Sequence, residues 1–155
     1  QHNGPSAVRY PRGSGTGEPI QQEMTALPLG RGIVKRQGHK VAILAFGSMV
    51  APALEAANLV NATIADMRFV KPLDINLIQQ LASQHSLIVT IEENAISGGA
   101  GAAVMESLQA MGIVVDTLCL GLPDEFIEHG VHETMLAACG LNASGIIAAI
   151  ENKLT

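Results

Sequence analysis

Short apolar runs alternating with helical segments of about ten residues place this chain in the α/β class, with a largely parallel sheet covered by helices on both faces. Two bulk features agree with that class. The 155 residues are 48% apolar and only 15% charged, enough for one compact domain with a real core. There is no Trp and a single Tyr, so the core must be aliphatic.

Residues 1–30 differ from the rest, because Pro5, Pro11, Pro19 and Pro28 with Gly4, Gly13, Gly15 and Gly17 break any sustained periodicity. They are expected to form an extended lead-in or linker. From residue 31 the alternation begins, with a first strand expected at Gly32–Lys35. Lys40–Phe46 (KVAILAF) is apolar without interruption, as a strand buried on both faces requires. A helix from about Val50 to Leu59 follows, with Pro52 tolerated in its first turn. Ala62–Met67 is the next strand, and Asp74 is a good N-cap for a helix reaching Gln84. Leu87–Ile91 forms another apolar strand, and Gly98–Gly101 leads into a helix ending near Met111. Val114–Leu120 is the last strand. Helices at Val131–Cys139 and Ala143–Leu154 complete the chain, with Gly140 a plausible C-cap between them. Pattern alone orients none of these strands.

Charge is unevenly placed. Residues 1–38 hold five basic and two acidic residues, a net of +3, while the remainder holds four basic and twelve acidic residues, a net of −8. An acidic body argues against nucleic acid as a partner, since phosphate neutralisation needs a basic stripe. No apolar run approaches the ~20 residues that span a bilayer, and residues 1–18 lack the apolar stretch of a signal peptide. Cys119 and Cys139 are not in a CxxC spacing and are expected to be buried free thiols in a reducing cytoplasm. The first residue is Gln, which suggests a processed or truncated product.

Four groups of residues invite a chemical reading. Arg9 and Arg12 flank Pro11 in the segment RYPRG, and a guanidinium fork matches a phosphate or carboxylate. Set against that, paired arginines in a linker are commonly just solvated. Glu92 and Glu93 end a buried strand, and Gly98–Gly101 then bares backbone N–H groups at a helix start, which is a natural anion site. The string is neither GxGxxG nor a Walker A loop, and tight helix–sheet packing by the glycines is the preferred reading. Asp66, Arg68 and Lys71 leave a strand ahead of Pro72 and Asp74, a pattern that suits an interface or loop fixing better than catalysis. His129 and His132 lie three apart with Glu128 and Glu133 beside them; on one helix face they could bind a metal, though a solvated helix-terminal pair is the simpler expectation. No GxSxG, HExxH or Cys–His pattern supports hydrolase chemistry.

Taken in order, Gly4–Gly13 (GPSAVRYPRG), Leu29–Gly32, Ala42–Gly47, Asp66–Asp74 (DMRFVKPLD), Ile91–Gly101 (IEENAISGGAG) and Gly121–Phe126 (GLPDEF) cover essentially the whole chain. Together they resemble the 1-deoxy-D-xylulose-5-phosphate synthase family, at the end of its pyrimidine-binding domain and throughout its transketolase C-terminal-like domain. The resemblance implies a three-layer α/β/α fold with a five-stranded, mostly parallel sheet whose first strand is antiparallel. It divides the chain into a tail of the preceding domain plus linker at 1–30 and the C-terminal domain at 31–155. It implies a cytoplasmic homodimeric transferase that uses thiamine diphosphate and Mg²⁺ to condense pyruvate with D-glyceraldehyde 3-phosphate, releasing CO₂. The product feeds isoprenoid, thiamine and pyridoxal phosphate synthesis.

The same resemblance assigns Arg12 to the substrate phosphate, with Arg9 in support. The family's GDG…N metal motif and catalytic glutamate are not found here, so no catalytic, cofactor or metal residue is expected in this chain. Its partners would then be the missing N-terminal domains and a second copy. The alternative is a free-standing module that binds a small anion at Gly98–Gly101 or serves only to oligomerise.

Overall fold

The computed structural model describes residues 3–8 and 22–155. Five strands form one sheet in the order β1-β3-β2-β4-β5. They are β1 (Ile33–Arg36), β2 (Val41–Ala45), β3 (Thr63–Asp66), β4 (Leu87–Ala95) and β5 (Asp116–Leu122). The helices are α1 (Val50–Val60), α2 (Ile75–Gln84), α3 (Ala100–Ala110), α4 (His132–Ala138) and α5 (Ala143–Leu154). Strands β2 to β5 pair in parallel, and β1 runs antiparallel to β3. This is the expected mixed sheet with its first strand reversed.

The layers follow from the two-residue period of the strands. In β2 all five residues are buried, with Val41, Ile43 and Ala45 facing one way and Ala42 and Leu44 the other. The first face packs against Ala53, Ala56 and Ala57 of α1 and Ile146 and Ile150 of α5. The second packs against Ile78 and Leu81 of α2 and Val104 and Leu108 of α3. Each fully buried Ile or Leu contributes roughly 1.5–3 kcal/mol of transfer free energy. The small alanines of α1 form the stripe that lies between the sheet and α5.

Local chemistry sets the ends of the helices. Asn61 closes α1 in the left-handed region at φ 48, which Asn tolerates better than most residues. Asp74 caps α2 by accepting from the backbone N–H of Leu77 at 3.1 Å. Gly140, at φ 72, separates α4 from α5, and Asn142 caps α5 through the N–H of Gly145 at 2.9 Å. Read as one stretch, His132–Leu154 is long and apolar enough to cross a membrane, contrary to the sequence expectation. Here it is two helices broken at a turn, and Ile146 and Ile150 of the second are fully buried in the core.

Several boundaries move. Strand β4 continues to Ala95, well beyond Ile91, with its pairing to β5 interrupted between Ile91 and Ala95. Strand β5 starts later and ends later than expected, because Val114 is fully exposed and the pairing with Leu87 begins only at Asp116. Both cysteines are free but only half-buried, since β5 is an edge strand and α4 buries no residue fully.

One topological consequence matters for the site. Ile33, the first residue of β1, is paired with Asp66, the last of β3. Because β1 is reversed, the chain enters the domain at the carboxyl ends of the parallel strands. Open α/β sheets generally place their ligands at that rim.

Candidate functional site

The rim is built from the loops that follow β2, β3, β4 and β5, and its central residues are the last residues of β4. Alternation along β4 sends Glu92 to the α2/α3 face and Glu93 to the α1/α5 face.

Glu92 is 5% exposed. Its Oε2 accepts from the N–H of Ala100 at 2.7 Å and its Oε1 from the N–H of Gly101 at 2.8 Å. Gly99, the N-cap of α3, has no side chain with which to cap. The carboxylate of the preceding strand therefore satisfies the free N–H groups of the helix and opposes the positive end of its dipole. A Cβ on Gly99 would lie 2.5 Å from both Glu92 oxygens and from the Ala95 carbonyl. A Cβ on Gly101 would lie 2.5 Å from Thr90 Oγ1 and 3.1 Å from Cys119 Sγ. The glycines are thus required by close packing of helix on sheet, the preferred reading of the sequence. The anion position at this helix start is filled by the chain's own carboxylate, which removes the geometric basis for a small-anion module there.

Glu93 faces the opposite way. Ser48 Oγ, in the single helical turn Gly47–Met49, donates to its Oε2 at 2.5 Å, and His132 Nε2 lies 2.5 Å from its Oε1. The carboxylate stands between serine and histidine. A nucleophilic triad needs the imidazole between hydroxyl and acid, so this order activates nothing. It is a tie between the loop after β2, the end of β4 and the start of α4.

The Asp66–Asp74 loop is a second tie. Asp66 Oδ1 accepts from the N–H of Arg68 at 3.1 Å, and its Oδ2 is 3.8 Å from Arg68 Nε. That pair accompanies the left-handed backbone of Arg68, at φ 59, which a non-glycine residue rarely adopts. Beyond capping α2, Asp74 accepts from the N–H of Gly32 at 3.0 Å and lies 3.6 Å from Arg31. Gly30, at φ 67, leaves room for Pro72, whose Cγ would be 2.9 Å from a Cβ there. The loop-fixing role expected for this segment is what the contacts describe, and it extends to the point where the lead-in enters the domain.

Arg9 and Arg12 lie outside the described residues. His129 and His132 do not share a helix face, because α4 starts at His132 and His129 precedes it in the loop. The imidazole of His132 turns to Glu93 instead of to Glu133. Among the described residues no three His, Cys, Asp or Glu side chains converge as a metal site would require. The sequence reading missed the Glu93–His132 and Asp74–Gly32 contacts, which join residues 39 and 42 positions apart. The Glu92–Gly101 contact had a local signal, a carboxylate ending a strand just before a glycine-opened helix.

Comparison with known proteins agrees with this architecture. The family model for the transketolase C-terminal domain matches residues 30–146. The 1-deoxy-D-xylulose-5-phosphate synthase of Methylobacillus flagellatus is 72% identical over 154 residues, 99% of this chain and 25% of that protein. The synthase of Chromobacterium violaceum is 61% identical over 97% of this chain and 24% of that protein. The chain therefore spans about a quarter of the length of the curated relatives it matches. Among solved structures, a split-gene transketolase in an inactive β4 tetramer superposes with a TM-score of 0.76 at 33% identity, over 83% of this chain and 43% of that one. A Campylobacter jejuni transketolase shares the fold, with a TM-score of 0.57 at 17% identity over 79% of this chain and 18% of that one.

Proposed function

Since the chain belongs to the transketolase C-terminal domain family, we propose that it is the last domain of an enzyme that makes 1-deoxy-D-xylulose 5-phosphate from pyruvate and D-glyceraldehyde 3-phosphate, with loss of CO₂. The observation that carries this reading is 72% identity to a synthase of that name over 99% of the chain. Residues 1–30 are then the tail of the preceding domain and its linker, and residues 31–155 the domain itself.

Thiamine diphosphate and Mg²⁺ would serve the intact cytoplasmic enzyme, but the described residues do not fit them. The α3 N-terminus, where a diphosphate would find free N–H groups, holds Glu92. The carboxylate facing the other way, Glu93, is engaged with Ser48 and His132. We assign no chemical step to this domain. Its task is to hold the entering chain in place through Asp74 and Gly30, to contribute to a homodimer, and to leave Arg12 available to the substrate phosphate. A guanidinium fork suits a phosphate dianion, and Arg9 adds positive charge beside it.

Steady-state kinetics of the intact enzyme test the assignment. Arg12→Ala should raise the KM for glyceraldehyde 3-phosphate and leave the KM for pyruvate largely unchanged. An unchanged KM for the phosphorylated substrate would remove Arg12 from the site, and an intact enzyme that released no CO₂ from pyruvate would overturn the reaction itself.

A further inference from the structure

Several exposed apolar side chains stand along one rim of the sheet. Leu27 and Leu29 of the lead-in, Val70 after β3, Ile96 after β4, and Phe126 and Val131 after β5 all stand in solvent at the carboxyl rim of the sheet. Phe126 is entirely exposed and Val131 is 69% exposed. Beside them an open groove of about 410 Å³ runs between Ile96, Pro123, Phe126, Ile127, Ala138 and Cys139. The groove is apolar surface edged by charge, here Asp124, Glu125 and Glu128, as at an interaction face.

The segment carrying Phe126 needs an outside partner for a further reason. Helix α4, which follows it, has seven residues and buries none of them fully. A polar contact of His132 with Glu93 ties the start of α4 back to the sheet. A fully exposed Phe on a segment this lightly packed contributes nothing to the domain's own core. Burial of such a side chain elsewhere would contribute roughly 1.5–3 kcal/mol.

Topology says which partner is delivered to this face. The reversal of β1 brings the entering chain in at the same rim, where Gly30 and Gly32 are seated against Pro72 and Asp74. Three-quarters of the length of the matched synthases lies outside this chain. We propose that the carboxyl rim, centred on Phe126 and the Ile96–Ile127 groove, is the docking face for the portion of the same polypeptide that precedes this domain. The proposal rests on the reading of the chain as the last domain of a longer synthase. An intrachain contact of this kind needs no affinity of its own, because the short connection through residues 22–32 supplies a high effective concentration. Inter-domain faces of this type are commonly modest in area and only partly apolar, as this rim is.

The test is photo-crosslinking in the full-length protein, with Phe126→p-benzoylphenylalanine as the probe and Val114→p-benzoylphenylalanine as the control. Val114 is equally exposed but precedes β5, at the amino ends of the parallel strands and so at the end of the sheet opposite the rim. The expected result is a cross-link from position 126 to a peptide upstream of this domain, at the mass of one chain on a denaturing gel, with no such product from position 114. A product of doubled mass would assign the rim to a second copy and overturn the proposal. Absence of any product from position 126, or an equal yield from both positions, would show the rim to be free and would also overturn it. Release of CO₂ from pyruvate is measured on the same preparations. An active enzyme without the cross-link sinks only the docking face, whereas an inactive parent protein sinks the functional reading on which it rests.

Discussion

Glu92 turns into the layer between the sheet and α3 and gives both oxygens to backbone N–H groups, whereas Glu93, one residue later, faces the α1/α5 side and holds the side chains of Ser48 and His132. The first carboxylate is 5% exposed; the second is 30% exposed. Two identical side chains at the end of one strand thus do different work. Glu92 builds the helix start and cannot be removed without leaving buried donors unsatisfied. Glu93 ties the turn after β2 to the start of α4 at the surface, where water can replace what is lost. Carboxylates at the carboxyl end of a parallel strand are therefore not enough to identify a catalytic pair.

The contrast can be broken most forcefully at Glu92. Glu92→Ala should lower stability by about 2–4 kcal/mol, since two buried N–H groups lose their acceptor and α3 loses its cap. Chemical unfolding followed by circular dichroism measures it, and a loss no larger than that of Glu93→Ala would erase the distinction. Gly99→Ala should follow with about 1–3 kcal/mol, because its Cβ would meet both Glu92 oxygens and the Ala95 carbonyl at 2.5 Å. Differential scanning calorimetry should show a clear fall in Tm; wild-type stability would mean that α3 can shift away freely.

Asp74 sharpens the comparison from a second loop. Like Glu92 it is a buried carboxylate, 6% exposed, that caps a helix, but it also receives the N–H of Gly32. Asp74→Ala should destabilise by about 1–2 kcal/mol and raise amide exchange at Gly32 and Leu77 together. Exchange rising at Leu77 alone would mean that the lead-in is anchored by other contacts. The smallest effect belongs to Glu93→Gln, below about 1 kcal/mol, as for other half-exposed pairs. Its signature is a local rise in exchange over α4, read by mass spectrometry, with α3 unchanged.

Much of this molecule is legible along the chain. KVAILAF announces a strand buried on both faces, and Asp74 announces the start of α2; both hold because the signals are local, a two-residue period and a side chain three residues from its acceptor. The ordered motifs from Gly4 to Phe126, RYPRG among them, were enough to indicate the family and with it the reversed first strand. The ends of β4 and β5 were not legible, because they depend on pairing between strands far apart in sequence. Nor was the partner of His132. The sequence set it beside His129, Glu128 and Glu133, but the chain enters α4 only at His132 and its imidazole meets Glu93 across the rim.

By itself, then, the sequence determined the class, the order of elements, the aliphatic core and the glycines at the start of α3, all properties carried by short-range pattern and composition. Tertiary structure alone decided which groups the carboxylates hold. Folding brings Glu92 onto the N–H groups of Ala100 and Gly101, so a helix start that reads as an open anion site is already occupied. It also brings the entering chain, Glu93 and Phe126 to one rim, since reversal of a single edge strand sets where the polypeptide arrives. The physical reason is the same in both cases: hydrogen-bond partners and exposed faces are assigned by proximity in space, which spacing along the chain encodes only in part and only where the partners are near in sequence.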